Sequence, residues 1–190
     1  MPTGNSSKAQ PDAEAIREAQ DRFISAWGKM GSAWGISRTM AEVHALLYIT
    51  GAALCTDDAM DRLSISRGNA SMSLRALQDW GIIRRVHKRG DRKEYFEAES
   101  DVWTMFRTIA RERKKREIDP LVHSLFEIRD LTGASPGAIA GAPSPDLDTH
   151  HARLDAMLQF IERLDALSET VLGPEGAGLK QAMSLLSDRA

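Results

Sequence analysis

A chain of 190 residues with a formal charge of −2, 27% charged residues and a single cysteine has room for one ordinary core plus additional helices. It has no apolar stretch near the roughly 18 residues that a membrane span needs, and its polar start, Met1 to Pro11, carries no apolar segment of the export type. Cys55 has no partner for an internal disulfide, so the expectation is a globular, cytoplasmic protein with no membrane partner.

Residues 1–10, rich in Ser, Asn, Gly and Pro, read as a disordered tail. Over 11–36 a helix is expected, because Ile16, Ala19, Phe23, Ala26 and Met30 recur at three- and four-residue spacing and form one apolar seam. Gly28, Gly31 and Gly35 weaken its end, and Ser37 or Thr39 caps a second helix with Val43, Leu46, Leu47 and Leu54 on its apolar side. Cys55 follows the apolar Leu46-Leu47-Tyr48-Ile49 run; a buried structural thiol is the commoner reading, a redox-sensing one the alternative. Thr56-Asp57-Asp58 is a good N-terminal cap for a short helix to about Leu63, and Ser64-Ile65-Ser66 turns the chain into a further helix capped by Ser66. There Ala70, Leu74 and Leu77 stack on one side, with Gly68, Met72 and Arg75 on the other. Gly81 supplies the left-handed residue of a helix stop. The strand-like runs Ile82 to His87 and Lys93 to Ala98 flank a polar hairpin loop, Lys88-Arg89-Gly90-Asp91-Arg92.

Ser100-Asp101 starts another helix, in which Val102, Phe106 and Ile109 alternate with Arg107, Arg111, Arg113, Lys114, Lys115 and Arg116. Asp119-Pro120 then predicts a new or kinked helix to about Leu131, so 101–131 reads as linking helices. Residues 132–148, dominated by Gly, Ala, Pro and Ser, read as a flexible linker. From Thr149 to Leu172, a second seam runs through Leu154, Met157, Leu158, Ile161, Leu164, Leu167 and Val171. Gly173-Pro174 stops it, and a short helix around Leu179 to Leu186 closes the chain. The fold class is mainly α with a small β-hairpin.

Although the total charge is slightly acidic, the local balance is basic. Between Arg62 and Lys93, the cations Arg62, Arg67, Arg75, Arg84, Arg85, Lys88, Arg89, Arg92 and Lys93 stand against Asp79 and Asp91 alone. A charge run is usually a solvated face, but here it coincides with a helix-turn-helix and a hairpin, where phosphates of duplex DNA would lie. The candidates for base edges in the major groove are Arg67, Gly68, Asn69, Ser71, Met72 and Arg75, with the helix start at Ser66 offering N–H groups to a phosphate. Arginine grips guanine with two hydrogen bonds, Asn69 does the same for adenine, Met72 touches a thymine methyl, and Gly68 lets the backbone come close. In the hairpin, Arg89 or Arg92 would enter the minor groove, with Lys88 and Lys93 on phosphates. Each has a plainer alternative: Arg75 paired with Asp79, Asn69 bonded at the helix end, and Arg92 braced by Asp91 or Glu94.

The stretch from Ser64 to Phe96 resembles the winged-helix regulators of the MarR superfamily and is most similar to the GbsR branch. The residues that carry this are Ser66-Arg67-Gly68-Asn69-Ala70-Ser71, Leu74-Arg75-Ala76-Leu77, Trp80-Gly81-Ile82-Ile83 and Gly90-Asp91-Arg92-Lys93-Glu94-Tyr95. The resemblance extends from about Arg38 to Asp119. It implies a winged helix-turn-helix DNA-binding domain over 37–100 and a homodimer on a pseudo-palindromic operator, with 11–36 and 149–190 as dimerisation helices. The two apolar seams ask for such an interface independently. The wing departs from the commonest MarR pattern in one respect, since Asp91 and Arg92 are adjacent here without a residue between them.

The expected function is therefore a sequence-specific DNA-binding transcriptional regulator, a repressor acting by occupancy of its operator and answering to a small-molecule effector. Trp27, Trp34, Trp80 and Trp103 admit an aromatic cage for a quaternary ammonium ligand such as choline, although core or dimer contacts are the commoner use of such residues. Asp148, His150 and His151 lack helical ligand spacing, and no metal or cofactor is expected. With no phosphate-cradling glycine loop and no nucleophile beside a credible base, an enzyme is disfavoured. The main rival is a winged-helix protein-interaction module; RNA binding would want an exposed aromatic platform that the sequence lacks.

Overall fold

Helix α2 (Arg38–Thr50) is the centre of the first of two units, Met1–Thr108 and Ile109–Ala190, into which the chain divides. Met40, Ala41, Val43, His44, Ala45, Leu46 and Leu47 are all buried, which leaves almost no solvent face and marks α2 as a core helix. Ser37 caps it, its Oγ accepting the Met40 N–H at 3.5 Å. The computed structural model describes residues 9–133 and 145–172. Of the expected tail over 1–10, residues 1–8 lie outside the described residues, while Ala9 and Gln10 already belong to a helix; of the expected linker over 132–148, residues 134–144 lie outside them and its two ends are helical, and the short helix around Leu179 to Leu186 and the Val171 side chain lie outside them too.

Against α2 lies α1 (Ala9–Ala33). The glycines expected to weaken α1 instead let it approach closely. A Cβ at Gly28 would lie 2.6 Å from Glu42 Cγ, and one at Gly31 would lie 2.6 Å from Ala41 Cβ. Gly28 and Gly31 share a face with Ile24 and Trp27 at three- and four-residue spacing, so the point of closest approach decides which side of α1 is buried. Phe23, Ile24 and Trp27 face the core with Ala45, Leu46 and Ala59, so of the expected seam Phe23 packs within the chain, whereas Ala19 and Ala26 are exposed and Ile16 is 59% exposed.

The remainder of this unit is a helix-turn-helix with a small sheet. Strand β1 (Leu54–Cys55) leads into α3 (Thr56–Leu63), the turn carries the chain into α4 (Arg67–Asp79), and β2 (Ile83–Val86) and β3 (Tyr95–Ala98) form the hairpin. The sheet is antiparallel in the order β1-β3-β2, with Cys55 opposite Tyr95 and Val86 opposite the same residue on the other side. The α3 cap sits one residue earlier than expected: Cys55 is the N-cap, and its N–H donates to Asp58 Oδ2 at 2.8 Å. Helix α4 buries Ala70, Ser73, Leu74 and Leu77 towards α2 and β2, where Ile82, Ile83 and Phe96 are buried too. Each fully buried aliphatic side chain here contributes about 1.5–3 kcal/mol of transfer free energy.

Helix α5 (Val102–Arg113) is started by Asp101, whose carboxylate accepts the Thr104 and Trp103 N–H groups at 3.1 and 3.3 Å. Its buried position is Met105, whereas Val102 and Phe106, expected on the apolar side, are exposed. Phe106 instead meets Trp103 edge-on at 6.3 Å.

In the second unit the break expected at Asp119-Pro120 is a π-helical turn, Lys114–Ile118, where the Asp119 N–H reaches back to the Lys114 carbonyl. It runs into α6 (Asp119–Gly133), whose first turn tolerates a proline that has no N–H to donate. Helix α7 (Pro145–Leu172) begins four residues before Thr149 and packs on α6. Leu158 and Ile161 are its buried residues, and Arg129–Asp155 at 2.6 Å and Lys114–Asp165 at 2.5 Å tie the unit together. No described helix is long and apolar enough to cross a membrane.

Candidate nucleic-acid interface

Helix α4 turns one face to the core and the other to solvent, as its sequence pattern requires. On the solvent side Ser66, Arg67, Gly68, Asn69 and Arg75 are exposed, Ser71 is half-buried and Met72 is 73% exposed. A methionine this open on a helix with a well-filled inner face has no packing role within the described chain. Ser66 Oγ accepts the Asn69 N–H at 3.2 Å, which leaves the N–H groups of Arg67 and Gly68 without intrahelical acceptors at the positive end of the helix dipole. Gly68 is not demanded by packing, since an added Cβ would find nothing nearer than Ser66 Oγ at 4.0 Å. At the far end Gly81, with φ +74°, donates to the Gln78 carbonyl at 2.9 Å, and Ile82 donates to that of Leu77 at 3.2 Å. This pair of bonds stops the helix and aims the chain into β2.

The hairpin loop is held from within. The Asp91 N–H closes the turn on the Lys88 carbonyl at 3.1 Å. Its carboxylate accepts the Lys93 N–H at 2.9 Å and the Tyr95 hydroxyl at 2.7 Å. These bonds hold the Asp91 carboxyl below the usual carboxylate range, and the hydrogen bond to Asp91 is the main reason the Tyr95 phenol is pushed up to about 12. Lys88, expected on a phosphate, donates to the Ala53 carbonyl at 3.0 Å and sits 3.8 Å from the Tyr95 ring centroid, bracing the stem of the wing against the start of β1. Glu94 pairs with Arg85 at 2.7 Å, so neither acid proposed as a brace for Arg92 holds its guanidinium.

Much of the basic run is locally neutralised by acids outside the stretch over which its charge was counted. Arg62 pairs with Asp21, Arg84 with Glu97 across the β2–β3 ladder, and Arg85 with Glu94. Asp57 takes two cations at once: its Oδ1 meets Arg67 at 2.5 Å and its Oδ2 meets Lys93 at 3.0 Å. Its carboxyl is consequently held below the usual range, chiefly by the Lys93 bond and then by Arg67. Among the described residues, Arg75, Arg89 and Arg92 make no ion pair, and the Arg75–Asp79 alternative is not formed. Sequence reasoning gave Asp57 only a capping role; its partners lie 10 and 36 residues away, and no local spacing announces them.

The other candidates are dispersed. Trp27 stacks on Phe23 at 5.6 Å and lies 6.0 Å from His44, while Trp103 meets Phe106, so these two tryptophans serve separate aromatic groups. Buried His44 is pushed down to about 4 by desolvation, with its Nε2 unpartnered. Cys55 is a buried free thiol. His151 Nε2 lies 2.8 Å from Thr132 Oγ1, and no metal-holding group of three or more acids, histidines or cysteines occurs among the described residues.

No protein-family model matches the chain. It is similar to the HTH-type transcriptional repressor GbsR of Bacillus subtilis (strain 168), with 26% identity over 117 residues, 62% of this chain and 64% of that protein. YvaV of the same organism, assigned as an HTH-type transcriptional regulator, is 26% identical over 94 residues, 50% of this chain and 53% of that protein. The chain thus spans between half and two thirds of the length of these relatives. A solved transcriptional regulator shares the fold at a TM-score of 0.52 and 20% identity, covering 82% of this chain and 96% of that one.

Proposed function

We propose that the chain, similar in sequence to the GbsR-type HTH regulators, is a cytoplasmic, homodimeric repressor that occupies a pseudo-palindromic operator in double-stranded DNA. The observation that carries this is the outer face of α4, where Asn69, Met72 and Arg75 stand exposed opposite a fully packed inner face. In the proposed complex Arg67, Gly68, Asn69, Ser71, Met72 and Arg75 face base edges, the helix start at Ser66 receives a phosphate, and Arg89 or Arg92 enters the minor groove. Lys93 stands at the base of the wing with its charge shared with Asp57, and Lys88 keeps the wing upright.

Dimer formation is supported by the second unit, where Leu121, Phe126, Leu131, Phe160 and Leu167 are exposed on α6 and α7. Effector control is part of the same proposal. A cleft of about 410 Å³ lined by Tyr48, Arg84, Glu97 and Glu99 lies between the end of α2 and the stem of the wing, and a small molecule there would touch both.

The test is a titration of the full chain against labelled duplex from upstream of its own gene and against scrambled duplex, at low and moderate salt. Selective binding that falls steeply with salt and is lost in Arg67→Ala or Arg92→Ala supports an operator-reading regulator. Absence of binding to either duplex, even at low salt, transfers the case to a protein-interaction module.

A further inference from the structure

One carboxylate joins the two elements of the proposed DNA-facing surface. Asp57 stands in the first turn of α3, yet the capping bond there is made by its neighbour, Asp58, to the Cys55 N–H. Both Asp57 oxygens turn outward to cations, one to Arg67 at the start of α4 and one to Lys93 at the base of the wing. A guanidinium carries five N–H donors in a planar fork, so a bond from one NH2 group to Asp57 leaves enough of the fork for a two-bond grip on a guanine edge. The same bond restrains the rotation of that fork before DNA arrives, which lowers the ordering cost of the specific contact. Towards a phosphate the effect reverses, because an incoming anionic oxygen must compete with the carboxylate for Arg67 and Lys93 and is repelled by it over about 10 Å at 0.1 M salt.

We propose that Asp57 is a specificity-determining positioning residue, which holds Arg67 ready for a base edge and opposes its diversion, together with Lys93, to the DNA backbone. This inference rests on the DNA-binding proposal above.

The test compares wild type, Asp57→Asn and Asp57→Glu, as full-length chains, on a duplex enriched by the wild-type protein from a randomised pool and on a shuffled duplex of the same composition. In Asp57→Asn, affinity for the enriched duplex falls about tenfold while affinity for the shuffled duplex rises about threefold. The salt dependence on the shuffled duplex steepens by about one ion, as a freed cation takes up a phosphate. Asp57→Glu keeps the charge but displaces the oxygens, so it weakens the enriched duplex and leaves the shuffled one at the wild-type level; this arm decides the matter even where Asp57→Asn folds poorly. A purely structural role would move both duplexes by the same factor with an unchanged salt slope, and that result, or no change at all, overturns the proposal. A wild-type chain that enriches no sequence and binds neither duplex overturns the DNA-binding proposal itself, and with it this one.

Discussion

The two units of the chain handle apolar surface in opposite ways. In the first, α2 is buried on nearly all sides and α4 is sorted cleanly into a packed face and a polar one. In the second, α6 and α7 bury Leu158 and Ile161 but leave Leu131 79% and Phe160 61% exposed. A closed core makes the first unit a rigid frame, as the proposed base-reading role of α4 requires, because an error of an ångström in side-chain position forfeits hydrogen bonds. Among the described residues α6 and α7 do not enclose their own seam, and that open surface is what the proposed dimer would cover. The contrast follows from interior volume: the two described helices α6 and α7 have too little interior between them for all their apolar residues.

The largest effect should come from opening the closed core. Leu46, among the most buried side chains, faces Ile24, Ala45 and Ala59, and Leu46→Ala is expected to cost about 2–5 kcal/mol through lost transfer energy and a residual cavity. Chemical denaturation followed by tryptophan fluorescence measures it; a loss under 1 kcal/mol would show that α1 and α2 collapse onto the gap and that the frame is softer than its burial implies.

Next in size is an acid sensitivity confined to the same core. His44 titrates near 6.5 when unfolded and is pushed down to about 4 when folded, because burial disfavours its charged form. The unfolded state therefore binds more protons between those values, and stability falls as pH drops from about 6.5 to about 4, by up to about 3 kcal/mol. Below pH 4 this contribution is fully lost, and carboxyls held down by hydrogen bonds, such as Asp58 and Asp101, take over the pH dependence. Comparing melting temperatures at pH 7.5 and 5 for wild type and His44→Phe isolates the effect; an equal drop in both proteins assigns the sensitivity elsewhere.

The exposed apolar face of the second unit should respond differently. Phe160→Ser with Leu131→Ser removes exposed apolar area and leaves the chain's own packing intact, so the folded monomer keeps its stability while self-association weakens at least about tenfold. Sedimentation over a concentration series reads this directly. Unchanged association would move the proposed dimer contact to another surface, with the exposed Val102, Trp103 and Phe106 next in order.

How far the sequence revealed each feature depends on the range of the interaction behind it. The two faces of α4, the Ser66 cap and the Gly81 stop were all legible, because residues within one or two helical turns decide them. Strand β1 was not, since two residues carry no periodicity and exist as a strand only through pairing with β3. The face of α1 that packs on α2 was not legible, because glycine was read by its helix propensity, whereas Gly28 and Gly31 act through the helix they touch. The site divides in the same way: exposed Met72, Asn69 and Arg75 follow from periodicity, while the neutralising acids Asp21, Asp57 and Glu97 come from other elements and had to be seen in place.

A small gain in stability separates fold from function most cleanly. Gly31 and Gly68 are both helical glycines, but a Cβ at Gly31 would collide with Ala41, whereas one at Gly68 would enter open space. Gly68→Ala should therefore stabilise the protein slightly, by at most about 1 kcal/mol, through higher helix propensity and a less flexible unfolded chain. If the backbone at this point approaches the floor of a groove, the added methyl occupies space reserved for DNA, and operator affinity should fall while melting temperature holds or rises. Gains in both quantities would place the closest approach further along α4, near Met72 and Arg75, and would leave Gly68 as a residue whose absence of side chain serves neither the core nor the contact.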